Sequence, residues 1–157
     1  MSQFRMYVDI PVRPHVKCYL EQKICFKNEN VITTTTPIGT YLMSLLEPKR
    51  KAWLPLRYNP ENVIRVMLTD NYNLIVRPHL SLQWSNQFNL FVERTIKEEM
   101  YVFIDCLATY ANFDINRAIK EFQNKYNIKE EDMTFDCLKQ AYFRYRKALK
   151  TRDSKAA

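Results

Sequence analysis

Cys18 follows His15 by three residues, so on a helix a thiol and an imidazole share one face. Such a pair is the beginning of a nucleophilic site, which also needs a carboxylate to orient the base. The rest of that machinery is absent from the pattern. No glycine-rich loop accompanies the pair to hold an oxyanion, because Gly39 is the only glycine in the chain. The same scarcity excludes a Walker loop and a dinucleotide fingerprint, which need several glycines so that backbone amides can approach phosphates. Cys18, Cys25, Cys106 and Cys137 include no CxxC spacing, and with His15 and His79 the only histidines a zinc site lacks ligands. The thiols are expected to be reduced, mostly buried and cytoplasmic. The acidic runs Glu98-Glu99 and Glu130-Glu131-Asp132 read as solvated, and no nuclease-type carboxylate pattern stands with a strand. No catalytic residue, metal or cofactor is assigned, and the chain reads as non-enzymatic.

The chemistry that the sequence does offer is anion binding. The formal net charge is +7, unevenly spread. Residues 1–92 hold eleven Lys/Arg against six Asp/Glu, a net of +5, and residues 93–136 hold six against ten, a net of −4. Residues 139–157 hold seven, Lys139, Arg144, Arg146, Lys147, Lys150, Arg152 and Lys155, against Asp153 alone, a net of +6. A second basic knot is Lys49, Arg50 and Lys51, with Arg57 nearby. Clustered cations suit an anionic partner, above all nucleic acid, although Lys and Arg also suit any helix C-terminus. The run Tyr142-Phe143-Arg144-Tyr145-Arg146-Lys147 interleaves aromatics with cations, as in proteins that stack bases. On a helix these side chains point all around the axis, and Tyr142 and Tyr145 are expected to face the core.

The elements that must position these residues follow from periodicity. Residues 4–10 alternate, with Phe4, Met6, Val8 and Ile10 on one side, and predict a half-buried strand. Pro14 opens a helix with Val16, Tyr19, Leu20 and Ile24 as its stripe, and Thr36-Pro37 opens another that Pro48 ends. Residues 63–69 and 72–77 read as two strands about an Asp70-Asn71 turn. Val12-Arg13-Pro14-His15-Val16 reappears as Val76-Arg77-Pro78-His79-Leu80, one strand-to-helix solution used twice. Residues 81–111 predict one long helix, or two joined near Glu98, with Trp84, Phe88 and Phe91 anchoring it to the sheet. Asp114 and Thr134 cap two more helices, 115–126 and 135–150, separated by the acidic turn 127–133. With glycine so scarce, helix ends must use Asn or another residue at the position glycine usually fills.

These elements make an α+β fold: a small antiparallel sheet packed by helices, followed by a helical, helix-turn-helix-like C-terminal half. Residues 1–80 form the α+β part and 81–157 the helical part, within one domain. The last two helices have the outline in which one helix braces and the next enters the major groove. The seven-residue acidic turn and the late position of the cations on the second helix depart from that outline. The expected function is a nucleic-acid-binding protein with duplex DNA as partner, a small regulator or an accessory factor of a phage or mobile element. The candidate contacts are Lys139, Arg144, Arg146, Lys147, Lys150, Arg152, Lys49, Arg50 and Lys51. The alternative is a protein–protein adaptor, an inhibitor or a phage structural subunit that uses the same cations on an acidic protein surface. Self-association is left open. The N-terminal run MSQFRMYVDI lacks the basic and apolar regions of a signal peptide, and no apolar run reaches the ~20 residues of a membrane span, so a cytoplasmic protein without a membrane partner is expected.

Overall fold

The computed structural model describes residues 6–23, 36–46, 62–68 and 82–156. Strand β1 (Met6–Pro11) pairs antiparallel with β2 (Val63–Leu68), in a register that sets Val8 opposite Val66 and Ile10 opposite Ile64. These four side chains are buried, whereas the alternate pair Asp9 and Arg65 meets on the other face through two hydrogen bonds of 2.8 and 3.1 Å. The two-residue period of a strand sorts the sheet into a core face and an outer face. The strand expected over 72–77, the Asp70-Asn71 turn and the second Arg-Pro-His copy lie outside the described residues.

Helix α1 (Pro14–Gln22) begins with proline at its first position and buries Val16, Tyr19 and Leu20 of the expected stripe, and Ile24 lies outside the described residues. Helix α2 (Pro37–Leu46) is capped by Thr36, whose Oγ1 accepts from Gly39 N at 3.1 Å. Helix α3 (Leu82–Tyr110) is continuous across Glu98. Helix α4 (Ile115–Lys125) is capped by Asp114, whose Oδ1 accepts from Arg117 N at 2.9 Å, and α5 (Phe135–Ala156) by Thr134, whose Oγ1 accepts from Cys137 N at 3.2 Å. The architecture is α+β: among the described residues there are a two-stranded antiparallel sheet and five helices, with a helical C-terminal half.

The chain divides into two compact units, Met1–Glu93 and Arg94–Ala157, and the division falls inside α3. The core of the first unit includes the inner sheet face with Tyr19, Leu42, Phe88 and Val92. Phe91 is half-buried and stacks on Tyr41, with ring centroids 4.2 Å apart. The core of the second unit includes Met100, Ile104, Ile119, Phe122, Leu138 and Tyr142. Two asparagines take the left-handed conformation that glycine usually supplies at helix ends, Asn112 after α3 (φ 53°) and Asn127 after α4 (φ 51°). At α4 this closes a Schellman motif: Ile128 N donates to Gln123 O at 2.9 Å, Asn127 N donates to Asn124 O at 3.2 Å, and Ile128 is buried. No helix among the described residues is long and apolar enough to cross a membrane.

Candidate nucleic-acid interface

The last helix pair lies within the second unit and is built around a polar hinge. Glu130, in the acidic turn, reaches forward so that its carboxylate accepts from Phe135 N at 2.8 and 3.0 Å. It therefore satisfies an otherwise orphan donor at the start of α5, where the helix dipole favours an anion. Gln123 Nε2 donates to Glu130 Oε2 at 3.2 Å and to Met133 O at 3.1 Å, which ties the turn to α4. Lys129 pairs with Glu131 at 3.5 Å. Of the acidic turn, Glu130 is thus tied to both flanking helices.

Helix α5 turns Leu138 and Tyr142 fully inward and leaves Tyr145 half-buried, stacked on Tyr101 at 4.4 Å. Tyr142 Oη donates to Asp105 Oδ1 at 2.6 Å, and Arg146 Nη1 donates to Tyr142 Oη at 3.2 Å and lies 3.5 Å from Asp105 Oδ1. Burial and the Asp105 hydrogen bond push the Tyr142 phenol above its ordinary range. Burial and Glu99, which accepts from Tyr126 Oη, do the same for Tyr126. Both phenols stay protonated as donors and hold α3 to α4 and α5. Glu99 is accordingly half-buried, not solvated as the Glu98-Glu99 pair suggested, while Glu98 is exposed and pairs with Arg94 at 2.9 Å.

With the core seam fixed, the helical period distributes the cations. Lys139, Phe143, Arg146 and Lys150 recur at i, i+4, i+7 and i+11 and run along one flank of α5. Lys139 is half-buried there, and the others are exposed, Phe143 at 48%. Gln140, Arg144, Lys147 and Thr151 repeat the spacing one residue on, all exposed, on the face turned away from Leu138. Arg152 is exposed beyond the half-buried Leu149. Arg144, Lys147 and Lys150 form no ion pair among the described residues. The structure thus brings Lys139, Arg146 and Lys150 onto one stripe and Arg144 and Lys147 onto its neighbour. Lys49, Arg50 and Lys51 lie outside the described residues.

One basic residue was missed. Lys120 of α4 is exposed, with Nζ 5.9 Å from the centroid of Phe135, and Lys139 Nζ lies 5.7 Å from the same centroid. In sequence Lys120 is an ordinary polar-face residue of an amphipathic helix. Only the packing of α4 on α5 sets it beside the basic stripe.

The His15–Cys18 spacing resolves into structure. His15 is buried, with Nε2 2.8 Å from Glu93 Oε1, and Arg13 Nη1 donates to the same oxygen at 2.6 Å. Burial alone would raise the Glu93 carboxyl, but the bonds from Arg13 and His15 outweigh it and hold the group below its usual range. The Arg-Pro-His motif therefore fastens the strand-to-helix corner to α3. Cys18 is half-buried, but the expectation of burial is wrong for Cys106 and Cys137, free thiols that are both exposed. Their helices place Ile104 and Leu138 on the core side, which turns the neighbouring cysteines outward. Cys25 and His79 lie outside the described residues. Among the described residues no group of three or more His, Cys, Asp or Glu could hold a metal.

No family model matches the chain, and neither a curated protein nor a solved structure matches it.

Proposed function

We propose that this is a non-catalytic, cytoplasmic nucleic-acid-binding protein that engages duplex DNA through α5. The observation that carries the reading is the two-stripe arrangement of exposed cations on that helix, with Arg144, Lys147 and Lys150 unpaired among the described residues. A helix fits the major groove, where phosphates run along both sides and base edges line the floor. The stripe Gln140, Arg144, Lys147 and Thr151 carries donors suited to base edges, and the flank Lys139, Arg146 and Lys150 suits one phosphate strand. The engagement of Glu130 at the start of α5 is consistent with the reading, because it points one carboxylate of the acidic turn at the positive end of the helix dipole.

The test is a fluorescence-anisotropy titration of a labelled duplex across a salt series. The wild type binds at ~50 mM salt, and log Kobs falls linearly with log[salt]. Changing Arg144, Lys147 and Lys150 together to Glu abolishes binding. Absence of binding by the wild type at that salt, or unchanged affinity of the triple variant, refutes the proposal. The adaptor reading draws on a different observation: Val102, Cys106 and Tyr110 follow one another at i, i+4 and i+8 on α3 and are all exposed, Tyr110 at 86%. It takes precedence if the duplex titration fails.

A further inference from the structure

We propose that Lys120 of α4 and Lys139 of α5 form a phosphate clamp beside Phe135, which adds α4 to the nucleic-acid footprint. The inference rests on the nucleic-acid reading of α5 and extends it to a residue on a different helix. The two ammoniums come from separate elements and share one aromatic ring, at 5.9 and 5.7 Å from its centroid. The negative face of a ring attracts a cation but does not neutralise it. Neither ammonium has an ion pair among the described residues. Both ammoniums keep their charge beside the ring, so an anion that reaches the two gains two charge-assisted contacts.

The position favours a phosphate of the same nucleic acid over a free anion. Lys139 heads the flank that continues through Phe143, Arg146 and Lys150, so Lys120 prolongs that line of charge from α5 onto α4. A strand lying along the flank meets the clamp at the N-terminal end of α5. Lysine serves phosphate as a point charge without bidentate geometry, so the clamp adds affinity without sequence preference.

The experiment is the labelled-duplex titration over a salt series with Lys120→Ala, Lys120→Arg and Lys125→Ala. Lys125 is on the same helix with its ammonium 5.1 Å from the centroids of Phe103 and Tyr126, away from Phe135, and serves as the control. Lys120→Ala weakens binding equally for unrelated duplex sequences and reduces the salt slope by about 1, the share of one phosphate contact. Lys120→Arg restores the wild-type slope, and Lys125→Ala leaves it unchanged. A wild-type slope in Lys120→Ala, while the α5 triple variant still loses binding, overturns the clamp and leaves the function of α5 standing. A reduced slope that Lys120→Arg does not restore assigns Lys120 to packing on Phe135 and also overturns the clamp. No salt-dependent binding by the wild type overturns both.

Discussion

Asn89→Ala should destabilise the protein far more than its place in the middle of a long helix suggests. Asn89 is 3% exposed, and its amide joins α3 to the corner between β1 and α1. Its Oδ1 accepts from Arg13 N at 2.7 Å, and its Nδ2 donates to Ser85 O at 2.8 Å and to Pro11 O at 3.3 Å. Arg13 sits at the N-cap of α1 without a side-chain cap, so Asn89 supplies the acceptor for the N–H at that corner. Removing the amide leaves that part-buried donor without its partner, which costs about 1–3 kcal/mol, and the lost bond to Pro11 O costs about 0.5–1.5 kcal/mol more. Pro11 O keeps Ser85 Oγ at 2.6 Å, and Ser85 O is freed only of a second donor, so neither carbonyl adds a large penalty. Alanine returns up to about 0.7 kcal/mol through its higher helix propensity. The net cost is about 1–4 kcal/mol, against a total stability of ~5–15 kcal/mol for an ordinary domain. Urea unfolding followed by circular dichroism measures it, with Asn124→Ala, exposed on α4, as the reference. Asn124→Ala should be neutral or slightly stabilising. If the two variants unfold within about 0.5 kcal/mol of each other, the amide does not hold the corner and the reasoning fails.

Phe88→Ala, at a side chain 1% exposed in the first unit, should cost about 3–5 kcal/mol through lost transfer energy and a cavity, whereas Phe143→Ala on the outer flank of α5 should cost under about 1 kcal/mol. Thermal melts of the two variants decide it, and a more damaging Phe143→Ala would mean that the flank is covered and closed to nucleic acid. Glu93, held below its usual range, contributes stability that is fully present above the unfolded carboxylate pKa and is lost as pH falls through the lowered folded value. Glu93→Gln should therefore cost about 1–3 kcal/mol at neutral pH and lose less stability than the wild type between pH ~5 and pH ~3. Melting curves across that window check it, and parallel pH profiles for the two proteins would refute the role.

What could be read from the sequence was what neighbouring residues impose on one another. Thr36, Asp114 and Thr134 cap helices because a side-chain oxygen and an N–H three residues on are within reach wherever the chain turns helical. Pro14 opens α1 because its ring presets the backbone. The two strands, the helical run over 81–111 and the inward Tyr142 and Tyr145 of α5 follow from periods of two and 3.6 residues, whereas the pairing of β1 with β2 and the continuity of α3 across Glu98 came from the structure. The need for asparagine at helix ends followed from counting glycines, and Asn112 and Asn127 meet it. The basic stripes of α5 were legible as composition, but their division into a flank and an outer face needed the direction of the core, which Tyr142 and Leu138 set.

The tertiary structure decided the rest, because it depends on residues far apart in sequence. The Arg-Pro-His motif reads as helix punctuation until Glu93, 78 residues after His15, arrives to bond both Arg13 and His15. Asn89 and Ser85 look like polar positions of an amphipathic helix until the Pro11 carbonyl comes within reach. Lys120 becomes part of a basic surface only because α4 brings it to Phe135. A local pattern specifies which face of an element is apolar. Which polar groups meet across two elements is settled by packing, since every buried donor must find an acceptor wherever the fold provides one.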